Sequence, residues 1–121
     1  MKMKKSTLLI ASLFIVFMTE AACASEPEAV FKFYCAQCHG LGGEGDGPNV
    51  TADFATDPRN FTKTAEMEKL SDADIKNVIL DGGPALSKSA LMPPWSKTLT
   101  GQEVDGLVQV LRGFCKCKGA P

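Results

Sequence analysis

The residues with the most informative chemistry are two cysteines and a histidine in the spacing Cys35-x-x-Cys38-His39. Two intervening residues place both thiols on one turn of backbone, where they can add to the vinyl groups of a porphyrin. The imidazole that follows the second thiol can then ligate the iron. The spacing is therefore typical of covalent haem attachment.

Two other kinds of site use the same pair of cysteines. A zinc site would need two more ligands, and the chain offers Cys115 and Cys117 near its far end. A thioredoxin-like dithiol usually follows a strand of a βαβ unit, and no such pattern precedes Cys35. Haem attachment is the interpretation that the residues favour.

The second iron ligand has few candidates. His39 is the single histidine of the chain, which excludes a second imidazole from the same molecule. Beyond residue 24 the thioether candidates are Met67 and Met92. Met67 lies in a predicted helical turn and is expected to fill the core. Met92 lies in a loop stiffened by two prolines, so we predict that it ligates iron; the alternative is that it only packs and water or a lysine takes the position.

The beginning of the chain has the composition of an export signal. Lysines near the start precede an apolar run over residues 8–18, and Ala22-Cys23-Ala24 follows as a small-residue cleavage site. The run is shorter than the roughly 20 residues that span a bilayer. We therefore predict a removed signal peptide over residues 1–24 and a single domain over residues 25–121.

Cys23 offers an alternative processing route. A pair of small residues before Cys23 resembles the lipoprotein cleavage site, although Glu20 stands where leucine is usual. The first route leaves the protein in the periplasm. The second anchors it to a membrane facing the periplasm, and membrane attachment is expected only in that case.

Length and charge limit the possible functions. A domain of this size gains limited stability from apolar packing alone, and a covalently held haem would add a large apolar body to its core. The whole chain has 13 Lys and Arg against 14 Asp and Glu. Cleavage of the predicted leader would remove lysines and make the remaining domain more acidic. A mildly acidic chain without a basic cluster argues against nucleic acid as a partner.

The predicted elements are all helices. Ser25 and Glu28 form a capping box for an opening helix that ends at Tyr34 and delivers Cys35. The second half of the chain shows a helical turn over residues 66–70, a helix that starts at Ser71 and stops at residues 82–84, and a terminal helix capped by Thr100 and Glu103. No strand pattern of similar quality occurs, so the chain is predicted to be all-α.

The segments between these helices also have distinct compositions. Five glycines crowd residues 40–47, which predicts a tightly folded loop. Phe54 and Phe61 are the expected anchors of the polar segment that follows. Cys115 and Cys117 leave three alternatives open, namely a disulfide within the chain, a link between two molecules, or unpaired thiols.

The order of these segments resembles a class I cytochrome c over essentially all of residues 25–121. The most specific parts are CAQCHGLGGEGDGP at residues 35–48 and LMPPW at residues 91–95. The resemblance implies a small all-α fold of three to four helices wrapped around one haem c. It also implies that the first and last helices cross near the haem edge.

The resemblance assigns roles to individual residues. Cys35 and Cys38 correspond to the two thioether anchors, His39 to the proximal iron ligand and Met92 to the distal one. Pro48 corresponds to the family proline whose carbonyl accepts a hydrogen bond from the other imidazole nitrogen.

The resemblance also describes the helix crossing. Phe31 corresponds to the aromatic residue packed there. The terminal helix has Val110 where many relatives have an aromatic side chain, and Phe114, one turn further on, is the residue that can compensate.

The function that the resemblance implies is a periplasmic electron carrier rather than an enzyme, with transient contacts to redox protein donors and acceptors. Small apolar residues near the distal loop are the expected contact patch: Ala85, Leu86, Leu91 and Pro94. One alternative is a haem-based sensor or small haem enzyme whose distal ligand is labile. A weaker one is a thiol redox protein that uses Cys35 and Cys38 directly.

Overall fold

The computed structural model describes residues 25–121, so the predicted leader and Cys23 lie outside the described residues. Within residues 25–121 all regular elements are helices and no strand occurs, which confirms the all-α prediction. None of the helices in this range is long and apolar enough to cross a bilayer.

The opening helix, α1, consists of three consecutive segments: α-helical Pro27–Val30, a π-helical turn Phe31–Cys35 and α-helical Ala36–His39. The capping box predicted for Ser25 and Glu28 is wrong, because Glu26 occupies the cap position and makes no side-chain capping bond. Pro27 starts the helix instead, since its fixed φ suits the first turn and its missing N–H has no partner to lose there. The helix also continues past Tyr34, so it contains the Cys-x-x-Cys-His motif rather than preceding it.

Three short elements form the middle of the chain. They are α2 at Thr64–Met67, α3 at Asp72–Asp81 and a 3-10 helix at Gly83–Leu86. α3 starts after Ser71 and ends at Gly82, which has a φ of 83°, both as predicted. The structure adds that Ser71 caps the helix in a full capping box with Asp74. Met67 is 1% exposed, which confirms its predicted place in the core.

The terminal helix, α4, spans Gly101–Cys115, and the predicted capping box of Thr100 and Glu103 is present with both bonds. It packs against α1 and α3. An ion pair of 2.6 Å between Lys76 and Asp105 also joins α3 to α4. The predicted apolar stripe faces the core and is buried: Val104, Leu107, Val108 and Leu111.

An aromatic pair marks the place where α1 and α4 meet. The rings of Phe31 and Phe114 have centroids 5.1 Å apart. Phe114 therefore supplies the aromatic contact that Val110 does not. This confirms the expected compensation one turn further along α4.

Gly106 sets how closely α1 and α4 approach. A Cβ at Gly106 would lie 2.7 Å from Cγ of the rigid Pro27 ring, whereas a Cβ at Gly113 of the same helix would meet nothing within 4 Å. We expect Gly106→Ala to lower the free energy of unfolding by about 1–3 kcal/mol, because the helices must separate. Gly113→Ala should instead raise it by up to about 1 kcal/mol through helix propensity.

Urea unfolding of the two glycine variants and the wild-type protein measures both effects. Because the substitutions are chemically identical and lie on one helix, their difference isolates the contact with Pro27. Equal changes in stability at Gly106 and Gly113 would contradict the close-approach argument.

Arg112 is a buried link between helices that was not predicted from the sequence. The residue is 8% exposed. Its guanidinium donates to the carbonyls of Met67 at 3.0 Å and Leu70 at 2.7 Å, and pairs with Asp72 at 2.9 Å. These bonds hold the end of α2 and the start of α3 against α4. A signal was available, since Arg112 continues the i, i+4, i+8 series of Val104 and Val108, where a charge is unexpected.

Cys115 and Cys117 form a disulfide, so the first of the three alternatives is the one in the structure. Lys116 between them has a φ of 53°, and the chain turns back there. The tail then crosses Arg112, and the N–H of Ala120 donates to the Leu70 carbonyl at 3.1 Å. The disulfide belongs to the same structural cluster as Arg112, and its sulfurs are not available as zinc ligands.

Candidate haem site

The final turns of α1 carry the three motif residues. Within the π-helical turn, the N–H of Ala36 donates to the carbonyl of Phe31, five residues back instead of four. Such turns inside α-helices are frequent at functional sites, because the extra residue rotates the following segment relative to the preceding one. Here Phe31 points into the core, while Cys35 and Cys38 remain half-buried.

Cys35 and Cys38 are free thiols in the structure. Burial, with a smaller contribution from the neighbouring Cys38, raises the pKa of the Cys35 thiol to about 12. A thiol that attacks disulfides needs the opposite shift, towards the thiolate. The surroundings of Cys35 therefore argue against the thioredoxin-like alternative.

The His39 imidazole is held by a backbone carbonyl. Its Nδ1 lies 3.1 Å from the carbonyl oxygen of Arg59, so Nδ1–H donates and Nε2 is the nitrogen that can ligate a metal. Burial lowers the pKa of His39, opposed in part by this hydrogen bond. The neutral imidazole is thus favoured, and this is the form that metal ligation requires.

The expected hydrogen-bond acceptor was Pro48, and the structure corrects it to Arg59. Pro48 lies in the glycine-rich loop with its side chain exposed. The residues on either side donate to the end of α1, from Gly47 N–H to the Cys38 carbonyl at 3.1 Å and from Asn49 N–H to the Gln37 carbonyl at 2.8 Å. Pro48 is therefore next to the motif, but the imidazole donates its hydrogen bond to the carbonyl of Arg59, twenty residues beyond His39.

The glycine-rich loop packs tightly against α1 for a clear physical reason. The last carbonyls of a helix have no partner within it. The loop supplies one, since the N–H of Gly45 donates to the His39 carbonyl at 2.8 Å. At Gly47 a Cβ would collide with the carbonyls of Ala36 and Gln37, which explains why this position is a glycine.

Phe61 contacts the imidazole directly, a contact that was not predicted from the sequence. Its ring stacks on that of His39 with a centroid distance of 4.5 Å and an interplanar angle of 23°. Phe61 is buried as the predicted anchor, whereas Phe54 is only half-buried. The sequence signal was limited to an apolar residue within a polar segment, and no spacing rule connects it to His39.

Met92 is half-buried in a loop that is tied to the end of α3. The N–H of Gly83 donates to the Met92 carbonyl at 2.9 Å, and the N–H of Trp95 donates to the Ile79 carbonyl at 3.0 Å. A Cβ at Gly82 would lie 2.8 Å from the Met92 carbonyl oxygen, so two successive glycines allow the loop to approach this closely.

An aromatic pair brings the Met92 loop to the motif helix. Tyr34, the residue before Cys35, and Trp95, three residues after Met92, pack edge to face with centroids 5.2 Å apart. The structure therefore joins the two segments that carry the expected iron ligands. The ligand role of Met92 remains a prediction.

The donor set fits a covalently attached haem. The free thiols of Cys35 and Cys38 share one turn. In the neighbouring imidazole of His39, Nδ1 is hydrogen-bonded and Nε2 can ligate iron. Among residues 25–121, no group of three or more His, Cys, Asp or Glu side chains could hold a metal ion. In this part of the chain a zinc site therefore lacks its additional ligands, and a haem that brings four pyrrole nitrogens to the iron does not need them.

A small all-α fold with a Cys-x-x-Cys-His motif on its first helix defines a c-type cytochrome. The family profile described as cytochrome c oxidase, cbb3-type, subunit III matches residues 22–109. The chain belongs to this family.

Two solved structures share the fold of this chain. The KustC0563 c-type cytochrome is 29% identical with a TM-score of 0.58, covering 74% of this chain and 96% of that one. A chain of the Kuenenia stuttgartiensis reducing HAO-like protein complex Kustc0457/Kustc0458 is 35% identical with a TM-score of 0.57, covering 75% of this chain and 42% of that one. No curated protein matches the sequence significantly.

Proposed function

We propose that this protein is a monohaem electron carrier that shuttles single electrons between redox proteins. The observation that carries the proposal is the hydrogen bond of His39, whose Nδ1–H donates to the Arg59 carbonyl. This bond leaves Nε2 as the nitrogen that can ligate the iron. In this proposal Cys35 and Cys38 hold one haem c through two thioethers, and His39 and Met92 ligate its iron. The bound haem supplies the one-electron chemistry.

The chain's own residues position and protect the iron ligands. The Arg59 carbonyl keeps the proton on Nδ1 and fixes the orientation of the imidazole. The bond from Gly83 to the Met92 carbonyl fixes the backbone that presents the thioether. A site closed on both sides favours electron transfer over binding of small molecules.

The surroundings of the Met92 loop support transient protein partners. Leu91 is 57% exposed, Ala85 and Pro94 are also exposed, and Leu86 is half-buried. These four residues are the proposed contact patch. The family description names an oxidase subunit and one structural relative belongs to a protein complex, which supports redox proteins as donors and acceptors.

The proposed location follows from the leader. Residues 1–24 would direct export, and the mature domain would work in the periplasm, where haem is attached to exported c-type cytochromes. Acylation of Cys23 would instead anchor the same domain to a membrane facing the periplasm.

A haem-based sensor or small haem enzyme is the second candidate, because one similar structure is a chain of a reducing HAO-like protein complex. The two candidates differ in whether the distal ligand dissociates.

Carbon monoxide binding to the reduced, haem-loaded protein distinguishes the two candidates. We expect the absorption spectrum to stay unchanged over minutes in the wild type, because the Met92 thioether occupies the sixth position. Met92→Ala provides an open-site control that should bind carbon monoxide at once. Rapid binding by the wild type would favour the sensor or enzyme and contradict the carrier.

A further inference from the structure

We infer that Phe61 is a positioning residue for His39: its ring fixes the rotation of the imidazole and shields the hydrogen bond between His39 and Arg59 from water. The inference rests on the proposed function, because the orientation of the imidazole matters electronically only when Nε2 ligates the haem iron.

The rings of Phe61 and His39 form a stacked pair. With ring centroids 4.5 Å apart and an angle of 23°, the two rings lie nearly parallel and in contact. Rotation of the imidazole about its Cβ–Cγ bond would turn its edge into the face of Phe61. Protein interiors are too densely packed to absorb such a clash without cost, so the stack selects one rotation.

Phe61 is itself held in place by other residues. Its N–H donates to the Gly43 carbonyl at 2.6 Å, which fixes its backbone to the glycine-rich loop. Its ring also packs edge-on against Phe31 with centroids 6.3 Å apart, and Phe31 contacts Phe114 at the helix crossing. Phe61 is 9% exposed. Contacts other than the one with His39 therefore hold Phe61 in place.

The short segment that carries Phe61 also supplies the hydrogen-bond acceptor of His39. Arg59 lies two residues before Phe61, and between them the Asn60 side chain accepts from the N–H of Thr62 at 2.9 Å and its hydroxyl at 2.7 Å. This turn keeps the Arg59 carbonyl and the Phe61 ring in a constant relationship. The segment from Arg59 to Phe61 thus contacts the imidazole of His39 at Nδ1 and at one face of the ring.

The consequence concerns the electronic state of the bound iron. A hydrogen bond away from water is stronger. The hydrogen-bond partner of the imidazole nitrogen that does not ligate iron, here Nδ1, sets the orientation and basicity of the ligating imidazole. Loss of the Phe61 ring would let the imidazole rotate and let water reach Nδ1–H. Ligation itself would persist, since Cys35, Cys38 and His39 are unchanged.

The test compares the haem-loaded wild-type protein with Phe61→Leu and Phe61→Tyr. Two NMR measurements apply: the pattern of hyperfine-shifted haem-methyl protons in the oxidised state, and the solvent exchange rate of His39 Nδ1–H in the reduced state. For Phe61→Leu we expect a changed methyl pattern and exchange faster by about tenfold or more. Phe61→Tyr keeps an aromatic face and should remain near the wild type in both.

Phe54→Leu is the matched control, because Phe54 lies in the same polar segment but is half-buried and outside the aromatic stack on His39. It should leave both measurements unchanged. If Phe61→Leu does not incorporate haem, Phe61→Met serves as the second non-aromatic variant.

Two results would overturn the inference in different ways. If the wild type shows a low-spin, histidine-ligated haem but the non-aromatic variants keep the wild-type methyl pattern and exchange rate, Phe61 does not position His39 and the proposed function stands. If the wild type itself shows no histidine-ligated haem, the proposed function fails and the inference fails with it.

Discussion

Replacement of both Cys35 and Cys38 by alanine is expected to abolish covalent haem attachment. Each thiol provides one thioether, so the double variant has no covalent link that survives denaturation. Haem staining of a denaturing gel, together with the mass of the intact protein, measures the loss directly. The wild-type chain should carry the mass of one haem and the double variant none.

The chain provides a matched control for this experiment in its other pair of cysteines. Cys115 and Cys117 form a disulfide at the far end of α4, next to Arg112. Replacing both of them by serine should lower stability but leave the covalent haem in place. Haem that stays bound to the denatured Cys35/Cys38 double variant would contradict the attachment assignment.

Met92→Ala is expected to produce the second large effect, on the iron rather than on attachment. A thioether ligand favours Fe(II) and raises the reduction potential. Its loss should remove the weak far-red sulfur-to-iron absorption band. The potential should fall by on the order of 100 mV or more, since axial ligands move haem potentials over a range of about 0.8 V. A spectrum of the oxidised protein and a potentiometric titration measure both changes.

Met67→Leu is the appropriate comparison, because it removes the other thioether of the described domain. Met67 is buried in the core, and its carbonyl accepts from Arg112. We expect the far-red band and the potential to be retained at a cost of about 1 kcal/mol in stability. A band that persists in Met92→Ala, or disappears in Met67→Leu, would reassign the distal ligand.

The features that could be predicted from the sequence are those whose causes lie within a few neighbouring residues. The helix start at Ser71 and the capping box at Thr100 depend on one side chain and the residues just after it, and both are present. The buried stripe of α4 follows from helical periodicity. The capping box predicted at Ser25 is wrong, because Pro27 determines where α1 begins and Glu26 therefore takes the cap position.

The motif Cys35-x-x-Cys38-His39 and the helical pattern by themselves determined the class of protein and the candidate attachment residues, since the chemistry of the motif depends on spacing along the chain. Tertiary structure decided which groups surround His39. The Arg59 carbonyl and the Phe61 ring reach it from twenty and more residues away, across the glycine-rich loop. The physical reason is that a backbone acceptor or a stacked ring is selected by packing in three dimensions, and no local periodicity encodes it.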